Sequence, residues 1–256
     1  MLQVQQLVKH FGGIQAVNGV SFEILAGECV ALIGPNGAGK STCFACIAGQ
    51  YPATSGHIVW NGQVLDKLSP RARLQHGAAR TFQVAQVFEA LTVLQNVQLA
   101  TQARLALHAP FSFISGFKNL DSQSREPARA LLEQTGLLAL AHQDALSLPY
   151  GAKKRLELAL ALAANPQLLL LDEPAAGLAE QERRSLMQLV KKLTGQGIAV
   201  LYTEHNMDAV AGVADRVLVL IQGRLAAEGS FEEVSRDSTV RSLYLGAGLV
   251  EGVGHA

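Results

Sequence analysis

Residues 34–42 read GPNGAGKST, and this stretch limits the possible folds of the chain more than any other. It follows the uninterrupted apolar run CVALI at 29–33 and leads into a helical pattern. Glycines let the backbone turn tightly, so that its N–H groups and the N-terminus of the next helix can face a phosphate. A strand, a glycine-rich turn and a helix in this order predict an α/β core with a phosphate-binding loop.

The loop satisfies the full pattern GxxxxGK[ST], which makes an ordinary glycine-rich turn the weaker alternative. In this pattern the lysine, here Lys40, reaches the β- and γ-phosphates of a nucleotide, and the following hydroxyl, here Ser41, ligates Mg²⁺. The predicted nucleotide-binding residues of the loop are Gly34, Pro35, Asn36, Gly37, Ala38, Gly39, Lys40, Ser41 and Thr42.

An acidic pair, Asp172 and Glu173, directly follows the apolar run LLLL at 168–171. Ligands bind at the carboxyl ends of strands in open α/β sheets. We expect Asp172 to hold Mg²⁺ through water, and Glu173 to orient or deprotonate an attacking water. An acidic turn that merely ends a strand is a competitive alternative for the pair alone, but it is weak beside a complete phosphate loop.

Two further polar residues are candidates for the same site. His205 follows another apolar run, in LYTEHNMD, and is expected to contact the γ-phosphate. Gln83, in ARTFQ, is expected to contact Mg²⁺ or the attacking water. Taken singly, each is more often a polar residue at the end of a strand. Their order along the chain favours the catalytic interpretation.

Apolar periodicity predicts the secondary structure. Continuous apolar runs are typical of parallel strands buried on both faces, and they occur at 29–34, 168–172, 198–204 and 216–222. Alternating runs predict an antiparallel edge sheet, and they occur at 2–8, 18–24, 57–60 and 224–228. Helices are predicted at about 40–48, 91–107, 127–136, 151–164 and 180–194.

The mostly helical middle of the chain, residues 84–165, reads as a subdomain inserted into this core. Within it, residues 108–127 carry two prolines, a glycine and three phenylalanines, which predicts a packed insertion loop. The core with its antiparallel β subdomain would comprise 1–83 and 166–230. Residues 231–256 would form a C-terminal helix and a flexible tail.

The charge and composition restrict the partners. Lys and Arg number 21, as do Asp and Glu, so the formal net charge is zero and we expect no nucleic acid partner. The three cysteines show neither metal-ligand spacing nor a disulfide framework. No signal peptide and no uninterrupted apolar run long enough to span a bilayer is evident, which predicts a soluble chain whose membrane role would come through a partner.

The residues at 34–42, Gln83, 148–151, 172–173 and His205 occur in the order used by ATP-binding cassette (ABC) ATPases, which the chain resembles over nearly its whole length. The resemblance implies a P-loop NTPase core with a mostly parallel sheet, an antiparallel β subdomain and an inserted helical subdomain. It implies ATP and Mg²⁺ as cofactors. It also implies a head-to-tail dimer, in which each ATP lies between one chain's phosphate loop and the other chain's signature turn.

The signature turn departs from the usual Leu-Ser-Gly-Gly-Gln of that family. Leu148 and Gly151 keep their places, but Pro149 and Tyr150 replace the serine and the first glycine, and Ala152 replaces the glutamine. Proline has neither a hydroxyl nor an N–H group to offer the γ-phosphate of the partner's ATP. Its position at a helix N-terminus is favourable, with Ser147 as the candidate N-cap.

The resemblance implies two further features of the nucleotide site. Phe11, with Val17 beside it, stands where the family carries an aromatic that stacks on adenine; simple core packing is the alternative for Phe11. Ala179 stands where most relatives carry an aspartate that links the two sites of the dimer.

Features of the subtype resemble one ATPase subunit of branched-chain amino acid importers: the YG signature, AAGL at 175–178, the insertion after Gln83 and YLG at 244–246. This implies a second ATPase chain, transmembrane permease subunits, a periplasmic or extracellular substrate-binding protein, and a peripheral position on the cytoplasmic face of the cell membrane. Urea or amide importers, a lipopolysaccharide exporter, a soluble regulatory ATPase and a homodimer stay open as alternatives. Val87, Phe88, Leu91 and Leu94 are predicted to share one helical face, as a groove for a permease helix or as plain core.

Overall fold

The computed structural model describes residues 1–81, 87–107 and 117–245. Gln83, residues 108–116 and the predicted tail from 246 onward lie outside the described residues. The strands are β1 Leu2–Phe11, β2 Ile14–Ile24, β3 Cys29–Ile33, β4 Ser55–Trp60, β5 Gln63–Val64, β6 Ala78–Arg80, β7 Leu168–Asp172, β8 Ala199–Thr203, β9 Arg216–Ile221 and β10 Arg224–Gly229. The α-helices are α1 Lys40–Ile47, α2 Pro70–Gln75, α3 Val93–Leu107, α4 Phe117–Gln134, α5 Tyr150–Ala163, α6 Glu180–Thr194, α7 Met207–Val210, α8 Phe231–Arg236 and α9 Ser238–Leu245.

Within the described part of the chain the strands form two sheets, and the predicted α/β fold class is confirmed. The larger sheet has the order β10-β9-β3-β8-β7-β6 and is parallel from β9 to β6. The smaller sheet is antiparallel, with the order β2-β1-β4-β5. Strand β10 was predicted in the antiparallel sheet; it instead pairs antiparallel with β9 at the edge of the larger sheet.

The continuous apolar strands bury both of their faces, as their sequence predicts. In β3, Val30 and Leu32 join a core shared with the small sheet and α1, whereas Cys29, Ala31 and Ile33 join a core on the opposite face. That second core includes buried side chains of α6 such as Met187 and Val190. Because side chains alternate along a strand, a strand between two apolar layers must be apolar at every position.

The helical middle of the chain has a core of its own, built from α3, α4 and α5. Helix α4 includes Pro127 and starts at Phe117, so the loop predicted up to 127 is wrong for its described part. Ser124, Ala128 and Leu132, spaced four residues apart, are all completely buried. We attribute the continuation of the helix past Pro127 to this packing, which outweighs the lost N–H.

The single helical face predicted for residues 87–94 is wrong. Residues 87–92 are not helical, and α3 begins at Val93. The segment is held in this conformation by Asn96, whose amide side chain accepts from the Phe88 N–H at 2.8 Å and donates to the Phe88 carbonyl at 3.0 Å. The C-terminal segment forms two short helices, α8 and α9, rather than one. None of the helices in the described ranges combines the length and hydropathy needed to cross a bilayer.

Candidate active site

The carboxyl ends of three neighbouring strands form the site. Strands β3, β8 and β7 lie side by side in parallel, so the segments that follow Ile33, Thr203 and Asp172 leave the sheet at one edge. The register places Thr203 opposite both Leu32 and Asp172. Ligands bind at this edge in open α/β sheets.

Two glycines of the phosphate loop allow it to pack directly against neighbouring backbone. At Gly34 (φ 150°) an added Cβ would lie 2.2 Å from the Leu220 carbonyl oxygen. At Gly39 (φ 97°) it would lie 2.2 Å from the Ala16 carbonyl oxygen. Both positions therefore require glycine, for space as well as for backbone conformation.

Lys40 is the first residue of α1, and its side chain is buried inside the loop. Its Nζ donates to the carbonyl oxygens of Gly34 at 2.7 Å and Pro35 at 3.1 Å. Burial lowers the pKa of Lys40, an effect partly offset by the negative charge of Glu173. The loop thus holds a buried cation at a helix N-terminus, which is the electrostatic environment that an anion requires.

Both carboxylate oxygens of Asp172 accept hydrogen bonds from neighbouring strands. Thr203 Oγ1 donates to Oδ1 at 2.8 Å, and Arg80 Nη2 donates to Oδ2 at 2.9 Å. The Glu173 backbone N–H in turn donates to Thr203 Oγ1 at 3.0 Å. One hydroxyl therefore positions both acidic residues.

The side chains of Glu173 and His205 are in direct contact, with Glu173 Oε1 and His205 Nε2 2.8 Å apart. An ionised carboxylate only accepts hydrogen bonds, so Nε2 carries a proton when Glu173 is charged. Glu173 has φ 48° and precedes Pro174, a combination that strains the backbone. Its hydrogen bond to Thr203 helps to hold this conformation, which directs the carboxylate to His205.

Glu204, between Thr203 and His205, is a buried acid that the sequence did not single out. Its carboxylate accepts from the backbone N–H groups of Ala175 at 3.0 Å and His205 at 3.2 Å. Burial raises the pKa of Glu204, and these backbone donors partly counteract the rise. The side chain thus ties the loop after the acidic pair to the segment that carries His205.

Arg80, Thr203 and Glu204 are functional candidates that sequence reasoning missed. A usable signal existed for Thr203 and Glu204, because they end the apolar run that precedes His205. Arg80 lies three residues before Gln83, but nothing in its own sequence pairs it with Asp172. That pairing arises because β6 and β7 are adjacent and parallel.

The donor set suits Mg²⁺. Asp172 offers carboxylate oxygens and Ser41, exposed in the first turn of α1, offers a hydroxyl, and both are hard ligands of the kind that Mg²⁺ prefers. No group of three or more His, Cys, Asp or Glu suited to a metal occurs in the part of the chain that the structure describes. Such a site fits an ion that takes few protein ligands and completes its shell with phosphate and water.

The two residues of the predicted adenine platform, Phe11 and Val17, lie in different environments. Phe11 ends β1 with 42% of its surface exposed, and its ring meets Tyr51 edge-on, with centroids 5.3 Å apart. Lys9 Nζ lies 4.9 Å from the centre of the Phe11 ring. Val17 is completely buried in the core, so its side chain offers no surface to a base.

The signature turn lies at the surface, at the start of α5. Pro149 is the N-cap of this helix, and Tyr150, its first residue, is 49% exposed. Ser147 was expected to be the cap; its hydroxyl instead donates to the Asp144 carbonyl at 2.8 Å. Gly151 is buried, and a Cβ there would lie 2.6 Å from Glu182 Oε1. Leu148 is buried in the helical core.

Comparison with known proteins assigns the family. The sequence pattern described as "ABC transporter" matches residues 17–176, which include the phosphate loop, the signature turn and the acidic pair. The chain belongs to the ABC transporter family. It is an ABC ATPase.

Relatives of this ABC ATPase match it over nearly its whole length. LivG of Escherichia coli K12, a high-affinity branched-chain amino acid transport ATP-binding protein, is 38% identical over 96% of this chain and 98% of its own. BraF of Pseudomonas aeruginosa, of the same description, is 36% identical over 96% and 98%. LptB of Escherichia coli K12, a lipopolysaccharide export system ATP-binding protein, is 34% identical over 96% and 97%.

Solved structures agree with the fold. The ADP conformation of an ATP-binding cassette from an ABC transporter superimposes with a TM-score of 0.84 at 30% identity, covering 96% of this ABC ATPase and 98% of that chain. A dimeric cassette bound to ADP and Pi, in a post-hydrolysis state, gives a TM-score of 0.75 at 26% identity, covering 90% and 99%.

Proposed function

We propose that this ATPase energises an importer of branched-chain amino acids, together with a second ATPase chain and membrane permease subunits. The observation that carries the proposal is the match to LivG and BraF, whose descriptions name this transport and which align over 96% of the chain. The chain would act peripherally, on the cytoplasmic face of the membrane. A substrate-binding protein outside the cell would complete the system.

For hydrolysis we assign Glu173 as the general base. Its Oε1 is engaged by His205, which leaves Oε2 to take a proton from water as the water oxygen attacks the γ-phosphorus and the bond to the β–γ bridging oxygen breaks. Lys40 and the loop backbone would stabilise the charge that spreads over the phosphate oxygens. Mg²⁺, when bound, would neutralise part of that charge; Ser41, Asp172 and the predicted ligand Gln83 would hold it.

The signature turn supports pairing with a different ATPase chain. Each ATP in such a pair meets the signature turn of the opposite chain, so Pro149 and Tyr150 face the partner's nucleotide and not this chain's own. Pro149 lacks the serine hydroxyl, whereas the local acidic pair and His205 are present. We therefore expect this chain's own site to be completed by a serine from the partner, with hydrolysis at the two sites unequal.

A groove between the larger sheet and the helices α3 and α5 is our candidate binding site for a permease helix. It has a volume of about 630 Å³ and apolar walls that include Leu74, Ala79, Val87, Ala103 and Leu160. Phe88 at its edge is 59% exposed. An amphipathic helix would bury its apolar face in such a groove.

Lipopolysaccharide export is the second candidate, favoured by the 34% identity to LptB over nearly the whole of both chains. The two functions require different permeases and move different substrates. An assay of transport therefore separates them, whereas an assay of ATP hydrolysis does not.

The test measures uptake of radiolabelled leucine, isoleucine and valine by cells that lack the chromosomal gene and carry it on a plasmid. Glu173→Gln should abolish uptake of all three while the purified protein still binds ATP. Glu180→Gln, which alters an exposed ion pair with Arg184, is the matched control and should retain uptake. If branched-chain amino acid uptake survives deletion of the gene while lipopolysaccharide is lost from the cell surface, the protein serves lipopolysaccharide export and not amino acid import.

A further inference from the structure

Arg80 is a partly buried cation in direct contact with the acidic residue assigned to the metal. It ends β6, and its Nη2 donates to Asp172 Oδ2 at 2.9 Å. The two side chains are only 15% and 11% exposed. Breaking an ion pair with so little exposure costs free energy, because it leaves an uncompensated charge inside the protein. Arg80 therefore places a positive charge directly against Asp172.

A second contact fixes Arg80 to the phosphate loop's own helix. Its guanidinium carbon lies 4.9 Å from the centre of the Phe44 ring, in cation–π geometry. Phe44 is completely buried on α1, one helical turn after Lys40. Arg80 Nε also donates to the Thr81 carbonyl at 3.1 Å. The guanidinium is thus held in one place between α1 and β7.

We propose that Arg80 is a positioning residue that acts as the counterion of Asp172 and thereby sets how strongly ATP binding depends on Mg²⁺. The proposal rests on the assignment of Asp172 to the metal. ATP carries negative charge to a site that already contains the carboxylates of Asp172 and Glu173. By pairing with Asp172, the guanidinium offsets the repulsion between this carboxylate and a nucleotide that arrives without metal, and it competes with the metal for the same carboxylate when the nucleotide arrives with it.

The two effects change the affinity for ATP in opposite directions, so they can be measured by comparing the affinity with and without metal. The ratio of the Kd for ATP in EDTA to the Kd in Mg²⁺ reports the advantage of the metal. Removing the Arg80 charge should weaken binding in EDTA and leave binding in Mg²⁺ equal or tighter. The unit charges of Arg80 and Asp172 are in contact, and even at a high effective dielectric constant such a pair interacts strongly enough to change this ratio by about tenfold or more.

A purely structural role predicts something else. If Arg80 only joins β6 to β7, its loss lowers the stability of the chain and weakens both Kd values equally. The ratio then stays constant. It is therefore the quantity to follow, with thermal unfolding of the nucleotide-free protein recorded beside it.

The experiment is a double-mutant cycle in the full chain, with Glu173→Gln in every variant to prevent turnover. Calorimetry gives the Kd for ATP with EDTA and with Mg²⁺ for the parent, Arg80→Met, Asp172→Asn and the double variant. Methionine keeps the apolar packing on Phe44 without the charge. Arg80→Lys restores a charge and should return the ratio toward the parent value. Should Arg80→Met fail to fold, Arg80→Gln takes its place.

We expect Arg80→Met to raise the ratio about tenfold when Asp172 is present and to leave it unchanged in the Asp172→Asn background. An unchanged ratio with Asp172 present, or an equal rise in both backgrounds, overturns the proposal. If Asp172→Asn by itself does not lower the ratio, Asp172 does not bind the metal and the proposal fails. Failure of leucine uptake, by contrast, bears only on the transported substrate.

Discussion

Replacing Thr203 by valine tests whether one hydroxyl organises the acidic pair. Valine has nearly the same shape, but it cannot donate to Asp172 Oδ1 or accept from the Glu173 N–H. A hydrogen bond to a charged group contributes about 1.5–3 kcal/mol and a neutral one about 0.5–1.5 kcal/mol, so the loss should be about 2–4.5 kcal/mol. For a domain of this size, that corresponds to a fall in Tm of roughly 5–15 °C.

The assay is thermal unfolding of the nucleotide-free protein, with ATP hydrolysis measured in parallel. We expect hydrolysis to fall roughly tenfold or more, because the backbone of Glu173 loses its anchor next to a strained turn. Thr203→Ser keeps the hydroxyl and is the matched control; it should recover most of the rate. A Thr203→Val protein that melts within about 1 °C of the parent and hydrolyses ATP normally would refute this account of the site.

Arg73→Met removes the N–H donors that bond to carbonyls at the C-terminal end of α1 and beside α2. Urea unfolding should show that the free energy of unfolding falls by more than about 3 kcal/mol. A fall of less than about 1 kcal/mol would contradict a structural role for these bonds. Gly39→Ala places a Cβ against the Ala16 carbonyl and should abolish ATP binding measured by calorimetry. Gly37→Ala, at φ 77° with open space around it, should lower the free energy of unfolding by only about 1 kcal/mol and keep ATP binding. Equal effects of the two substitutions would contradict the steric argument. Burial raises the pKa of Glu204 in the folded chain, so its contribution to stability is fully present below its ordinary pKa of 4.5 and is lost as the pH rises through the folded pKa. Urea unfolding from pH 4.5 to 7 should therefore show the parent losing stability relative to Glu204→Gln, and a constant difference would show that the carboxyl is not desolvated.

Local sequence patterns carried most of the site. The phosphate loop is specified by residue types at fixed spacing, because its backbone conformation and its contacts at Gly34 and Gly39 admit only glycine. The acidic pair and His205 were predictable because each follows an apolar run, and parallel strands end at a common sheet edge. Their roles in hydrolysis stay predictions, as does the role of Gln83.

Packing decided what these patterns could not. Helix α4 continues through Pro127, and β10 joins the larger sheet, because the burial of a face depends on elements distant in sequence. The same holds for the hydrogen bond from Thr203 and the ion pair from Arg80 to Asp172.

Turn chemistry and apolar periodicity are local properties, so the chain's sequence alone determined its α/β class, its phosphate loop and the order of its acidic and histidine residues. Strand order and register depend on free energies summed over the whole core, which no short stretch contains. The tertiary structure alone therefore decided which neutral and charged side chains surround Asp172 and Glu173. These surrounding side chains, together with Lys40 of the phosphate loop, set the electrostatics of the site.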